Sequence, residues 1–135
     1  MQRSDLSGVW SLVAFDDLGS GDERLEGPLG PDPRGLLIYS GDGHMSVSIM
    51  RTADSTRPPS TPVPLDFMGY AGTWRLDGDH VIHRVTVTHT PRMKDHDQVR
   101  EVRLDSDRLS LFGTVRGGDG PLRRVLEWNR AGDRG

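Results

Sequence analysis

Apolar residues in this chain recur at every second position, in short runs, and almost nowhere at the spacing of a helix. Such alternation gives an extended segment one apolar and one polar face, which is the pattern of a strand buried on one side. Eight runs show it: Ser7–Phe15, Gly35–Ser40, His44–Met50, Tyr70–Asp77, His80–His89, Gln98–Asp105, Arg108–Val115 and Leu122–Asn129. Four connections between them are tight. Gly41-Asp42-Gly43, Asp77-Gly78-Asp79, Asp105-Ser106-Asp107 and Gly117-Gly118-Asp119-Gly120 supply the Gly, Asp and Ser that hairpins need for positive φ or side-chain-to-backbone bonds. The other three, 16–34, 51–69 and 90–97, are long. The second contains the Pro-rich loop 54–67, with Pro58, Pro59, Pro62 and Pro64, and a short helix is expected near Leu65–Met68 at the mouth.

In a meander, alternate connections lie at opposite ends. The tight turns 41–43, 77–79 and 105–107 fall at one end, and the three long loops with turn 117–120 fall at the other. This layout predicts an all-β, closed, eight-stranded, antiparallel up-and-down barrel, a cup with a closed base and a loop-ringed mouth. An interior of that size is filled by side chains or holds one small ligand.

At 135 residues the chain fits a single domain, 1–135. Its net charge of −3 is scattered, and no basic run is interleaved with aromatics, so no nucleic-acid partner is expected. Cysteine is absent, which excludes disulfides, a thiol nucleophile and a thiolate metal site. Met1 to Trp10 carries Arg3 and Asp5 and no apolar run, so it reads as neither signal peptide nor membrane span. A cytoplasmic location and no membrane partner are the corresponding expectations.

Two hairpins test which side chains point inward, because opposed residues share a face. Pairing around Gly78-Asp79 sets Leu76 opposite Val81 and Trp74 opposite His83, and the inward face then carries Tyr70, Trp74, Leu76, Val81, His83, Val85, Val87 and His89. Pairing around Ser106-Asp107 sets Leu104 opposite Leu109 and Val102 opposite Leu111, and adds Gln98 and Arg100. The last run contributes Leu122, Arg124, Leu126 and Trp128. On 35–50 the favoured inward set is Leu36, Ile38, Met45, Val47 and Ile49; the opposite face, with Leu37, Tyr39, His44, Ser46 and Ser48, stays open as the alternative. No inward Asp or Glu is apparent.

His83 and Arg100 interrupt this apolar lining. A buried guanidinium is costly unless paired or hydrogen-bonded. Either Arg100 bonds carbonyls or water and His83 is a satisfied core histidine, or a ligand carboxylate, enolate or phenolate supplies the partner. If the interior is a reaction vessel, His83 or His89 is the proton shuttle and Arg100 stabilises an oxyanion, with Tyr39 and Tyr70 as reserve acids and Asp66 as a reserve base. Ligand contact is expected from Tyr39, Tyr70, Trp74, Val85, Val87, Val102, Leu111, Arg124 and Trp128, with the tryptophans, Trp10 included, able to stack on a ring. His89, Gln98 and Arg124 are expected nearer the mouth. No metal is expected: His80 and His83 fall on opposite faces of a strand, and His96-Asp97 lacks the spacing of a zinc or iron set. No Walker loop or nucleophile elbow occurs, and no cofactor is expected.

From Leu6 to Arg130 the sequence resembles the bacterial lipocalin-like domain family of small-molecule-binding barrels. The residues carrying the resemblance are Gly8-Val9-Trp10, GPLGPDPRGLLIYSGDGHMSVSIM at 27–50, YAGTWRLDGD at 70–79 followed by His83, QVREVRLDSDRLSL at 98–111 and LEWNR at 126–130. The resemblance implies a lipocalin-related barrel with Trp10 closing the narrow end and Arg130 stacked on it. It implies a small amphipathic or aromatic molecule inside. It also implies a rival, a cofactor-free cyclase or isomerase on a polyketide-like or terpenoid-like intermediate of natural-product biosynthesis. The family supplies no agreed catalytic motif, so no catalytic residue is carried over. The partners expected are thus a small-molecule ligand or substrate and, as an option, a second copy in a homodimer. A third option is a filled barrel serving as an assembly module.

Overall fold

The computed structural model describes residues 1–56, 66–117 and 120–131. A short helix, α1 (Arg3–Leu6), precedes nine strands: β1 (Gly8–Leu18), β2 (Arg24–Glu26), β3 (Arg34–Tyr39), β4 (His44–Met50), β5 (Phe67–Asp77), β6 (His80–Thr88), β7 (Asp97–Asp105), β8 (Arg108–Gly117) and β9 (Gly120–Arg130). All neighbours are antiparallel, in the order β2-β1-β3-β4-β5-β6-β7-β8-β9, and β1 also pairs with β9. Eight strands therefore close into the expected barrel. The ninth, β2, lies within what the sequence reads as loop 16–34, and it lengthens the edge of β1.

The two test hairpins have the predicted registers, Trp74 opposite His83, Leu76 opposite Val81, Val102 opposite Leu111 and Leu104 opposite Leu109. Elsewhere three local features reverse faces. In β1 the register shifts between Leu12 and Ala14, so Val13 is extra; Trp10 and Leu12 face inward before it, and Phe15 and Asp17 after it. In β6, Gly72 pairs with Val85 but Ala71 pairs with Val87, so Thr86 is the extra residue. Gly72 is required at that bulge, because a Cβ there would overlap the Arg84 carbonyl oxygen. Val87 and His89 consequently face outward, contrary to expectation, and Val87 is 66% exposed.

The third reversal is in β3. Leu37 pairs with Val47 and Tyr39 with Met45, so Leu37 and Tyr39 line the interior while Leu36 and Ile38 are 49% and 41% exposed. The favoured face was right for β4 and wrong for β3. A three-residue loop, 41–43, places residues of equal parity opposite one another, and Leu36 with Ile49 would need a loop of even length. The helix expected near Leu65–Met68 is also corrected: Phe67 and Met68 begin β5, and Leu65 lies outside the described residues. A single 3₁₀ turn, Pro91–Met93, sits instead in the loop before β7.

The base is closed as the resemblance implies. Trp10 is fully buried and its Nε1–H donates to the Leu6 carbonyl at 2.9 Å. The Arg130 guanidinium stacks 4.1 Å above the Trp10 ring and donates to the carbonyls of Ser7 and Asp5. At the other end, the loop between β2 and β3 folds inward. Leu29 is fully buried in the core with Phe15 and Ile49. Arg51 donates to the Pro28 carbonyl at 3.0 Å and Thr52 to the Asp32 carbonyl at 2.6 Å, latching this loop to the segment after β4. Among the described residues, no helix is long and apolar enough to cross a membrane.

Candidate ligand-binding site

Barrel closure brings three polar rings from three strands to one place. Tyr39 of β3, Met45, Gly72 and Val85 form one cross-strand row, and Trp74, His83 and Gln98 form the adjacent one. His83 lies between two phenols. The Tyr39 Oη is 2.6 Å from His83 Nε2, and the Tyr70 Oη is 2.6 Å from His83 Nδ1. Tyr39 also packs on Trp74 with ring centroids 4.6 Å apart, and the Trp74 indole is held by its N–H donating to the Ser40 carbonyl.

All three rings are neutral at physiological pH. Burial, with a smaller contribution from the Arg100 cation, lowers the His83 imidazole to about 3. Burial pushes the Tyr70 phenol up to about 12 and Tyr39 well above its ordinary value, while Arg100 pulls both the other way. Arg100 is thus the electrostatic neighbour shared by the whole cluster.

Arg100 stands on β7 opposite Val81. Its side chain runs across Gly113 of β8, where a Cβ would lie 2.9 Å from the Arg100 Cδ and Nε. The guanidinium donates to Gln98 Oε1 at 3.1 Å and to the Val99 carbonyl at 2.9 Å. Among the described residues no carboxylate pairs with it.

Arg124, expected at the rim as a ligand contact, is instead buried in an ion pair. Its Nε is 2.8 Å from Asp17 Oδ1, with side-chain exposures of 8% and 0%. Asp17 is the inward carboxylate that alternation hides, since the bulge at Val13 turns it toward the lumen. Leu29, from a loop, and Leu6, from α1, are also interior residues that the alternation does not mark.

Of the remaining expected contacts, Val85, Val102, Leu111 and Trp128 are buried on the inner face. Among the described residues, the Trp128 indole N–H has no hydrogen-bond partner. His89 is exposed beside Phe67, with ring centroids 6.4 Å apart, and Asp66 is exposed and paired with Arg51. No group of three or more His, Asp or Glu able to hold a metal occurs among the described residues. Where β1 parts from β3, a groove of about 510 Å³ runs along Arg34, Leu36, Met50 and Phe67 and reaches Leu12 and Ile49.

A family model described as a lipocalin-like domain matches residues 7–131 of the chain. No curated protein matches it. Among solved structures, the fold is similar to lipoprotein YedD from Klebsiella pneumoniae subsp. pneumoniae MGH 78578, at 12% identity and a TM-score of 0.38, over 89% of this chain and 71% of that one. It is also similar to the siderocalin Ex-FABP, at 12% identity and a TM-score of 0.40, over 96% of this chain and 71% of that one.

Proposed function

This chain belongs to the lipocalin-like domain family, and on that premise we propose that it binds a small amphipathic or aromatic molecule inside the barrel, its polar end beside Arg100 and His83. The observation that carries the proposal is Arg100: a partly buried guanidinium on the inner wall, bonded to an amide and a backbone carbonyl but to no carboxylate among the described residues. Withdrawing a cation from water is unfavourable unless another group compensates it, and a ligand oxygen does so. Trp74, Val85, Val102 and Leu111 supply an apolar wall for the rest of the molecule.

Binding is favoured over turnover. General acid–base groups work best when they titrate near the operating pH. His83 at about 3 and Tyr70 at about 12 are far from it on either side. A cyclase or isomerase here would act chiefly by holding a reactive conformer.

Native mass spectrometry of the purified protein and titration with the neutral dye Nile red test this. One saturable dye site is expected, lost in the lumen-filling variant Val85→Phe and kept in the surface variant Val87→Ser. Dye binding that ignores Val85→Phe, in protein shown to be folded by circular dichroism, refutes a site inside the barrel.

A further inference from the structure

Counting hydrogens in the ring cluster shows what the lumen lacks. A neutral imidazole carries one N–H and each phenol one O–H, so three hydrogens serve two bonds. Each bond, Tyr39 to Nε2 and Tyr70 to Nδ1, consumes one of them. One phenol hydrogen is therefore always left over. If Nε2 is protonated it donates to Tyr39, and the Tyr39 hydrogen is spare. If Nδ1 is protonated it donates to Tyr70, and the Tyr70 hydrogen is spare. Among the described residues, none of the three side chains makes another hydrogen bond.

The two arrangements are not equivalent. Tyr39 is 1% exposed, and a spare donor there bears the whole desolvation penalty of an unmade bond. Tyr70 is only partly buried, so a spare hydrogen on its hydroxyl costs less than one on Tyr39. The favoured state has Tyr39 donating to Nε2, Nδ1–H donating to Tyr70, and the Tyr70 hydrogen free.

We infer that Tyr70 is the hydrogen-bond donor of an oxyanion subsite in the lumen, with Arg100 its counter-charge and Tyr39 a positioning residue that holds His83 in the Nδ1–H tautomer. The inference rests on the reading that the barrel binds a small molecule, and it specifies that molecule as one whose buried end is a carboxylate, enolate or phenolate. The uncommitted polar groups on this wall agree. Tyr70 O–H and the remaining Arg100 N–H groups are both donors, while Gln98 Oε1 is taken by Arg100 and Asp17 faces Arg124. Among the described residues, the inward-facing carboxylate, Asp17, is already paired with Arg124, so an amine would find none free on this wall. The anion is bound without proton transfer, since Tyr70 stays a phenol.

Two measurements test it. Proton–nitrogen correlation NMR on isotope-labelled histidine, with His83 assigned through His83→Gln, reads the tautomer directly. Nδ1–H is expected in the wild type, and Tyr39→Phe should relax that preference because Nε2 loses its donor. An Nε2–H resting state overturns the assignment of Tyr70, and a preference unmoved by Tyr39→Phe overturns the role of Tyr39. Calorimetry with decanoate and its near-isostere decanamide reads the subsite. Decanoate should bind at least ~10-fold tighter, and Tyr70→Phe and Arg100→Gln should each remove most of that preference with decanamide little changed. Equal binding of the two probes, or a preference that survives both substitutions, overturns the subsite. Nile red bound with neither decanoate nor decanamide also removes the subsite but leaves the lumen reading standing. If none of the three binds, the lumen reading itself falls.

Discussion

Two arginines point into this barrel from either side of Gly113, and they have opposite fates. Arg124, opposite Gly113 on β9, meets Asp17 at 2.8 Å and is closed off from solvent. Arg100 crosses Gly113 from β7 and, among the described residues, meets an amide and a carbonyl oxygen but no carboxylate. The first guanidinium is part of the structure, because its charge is answered from within the chain. The second is half-answered, and its neighbours Tyr39, His83 and Tyr70 carry one hydrogen more than their own bonds use. An inward arginine is therefore informative about function only after its carboxylate has been sought across the closed barrel.

Breaking each arginine's environment in turn separates the two. Asp17→Asn leaves Arg124 buried without its carboxylate and should cost about 3–5 kcal/mol in urea unfolding, whereas Arg100→Met should cost under about 1 kcal/mol or stabilise the fold. Equal losses would erase the distinction.

Next in size is an effect of pH. His83 is lowered to about 3 in the fold, so between that value and its ordinary one the unfolded chain takes up a proton that the folded chain refuses. Stability is then complete above the ordinary value and is lost as pH falls toward 3. Acidifying from neutral pH to about 4 should remove roughly 3 kcal/mol from this one group. The difference in unfolding free energy between wild type and His83→Gln should narrow by that amount over the same interval, and parallel curves would mean that His83 is not held neutral.

The smallest effect sharpens the comparison most. Gly113→Ala puts a methyl group 2.9 Å from the Arg100 side chain, which is flexible and can move aside. Stability should fall by under about 1 kcal/mol. Decanoate affinity should nevertheless drop several-fold, because the guanidinium is displaced rather than removed. Unchanged decanoate binding would show that the Gly113 notch does not aim Arg100.

Much of the architecture was legible along the chain. The runs from 70 to 111 have the expected strands and hairpin registers, and inward residues as expected except Val87 and His89; His83 and Arg100 emerged from them directly. Departures begin where one residue enters a ladder without a partner. Nothing in the alternation of Val85, Val87 and His89 marks Thr86 as the extra residue, and nothing in Leu12 to Asp17 marks Val13. Tyr39 was recovered only as the alternative face, because the parity of the turn 41–43 decides the side and both faces of β3 carry large apolar residues.

Alternation and turn chemistry act within about ten residues, so the sequence by itself determined an eight-stranded barrel with an imidazole and a guanidinium on its inner wall. Which groups answer those two is a long-range question. Asp17 reaches Arg124 across 107 positions, and Tyr39 reaches His83 across 44. Only the bulges, and the closing of β1 against β9, decided that one arginine would be satisfied and the other left open, since a contact between distant strands is set by register in three dimensions and leaves no period in the chain.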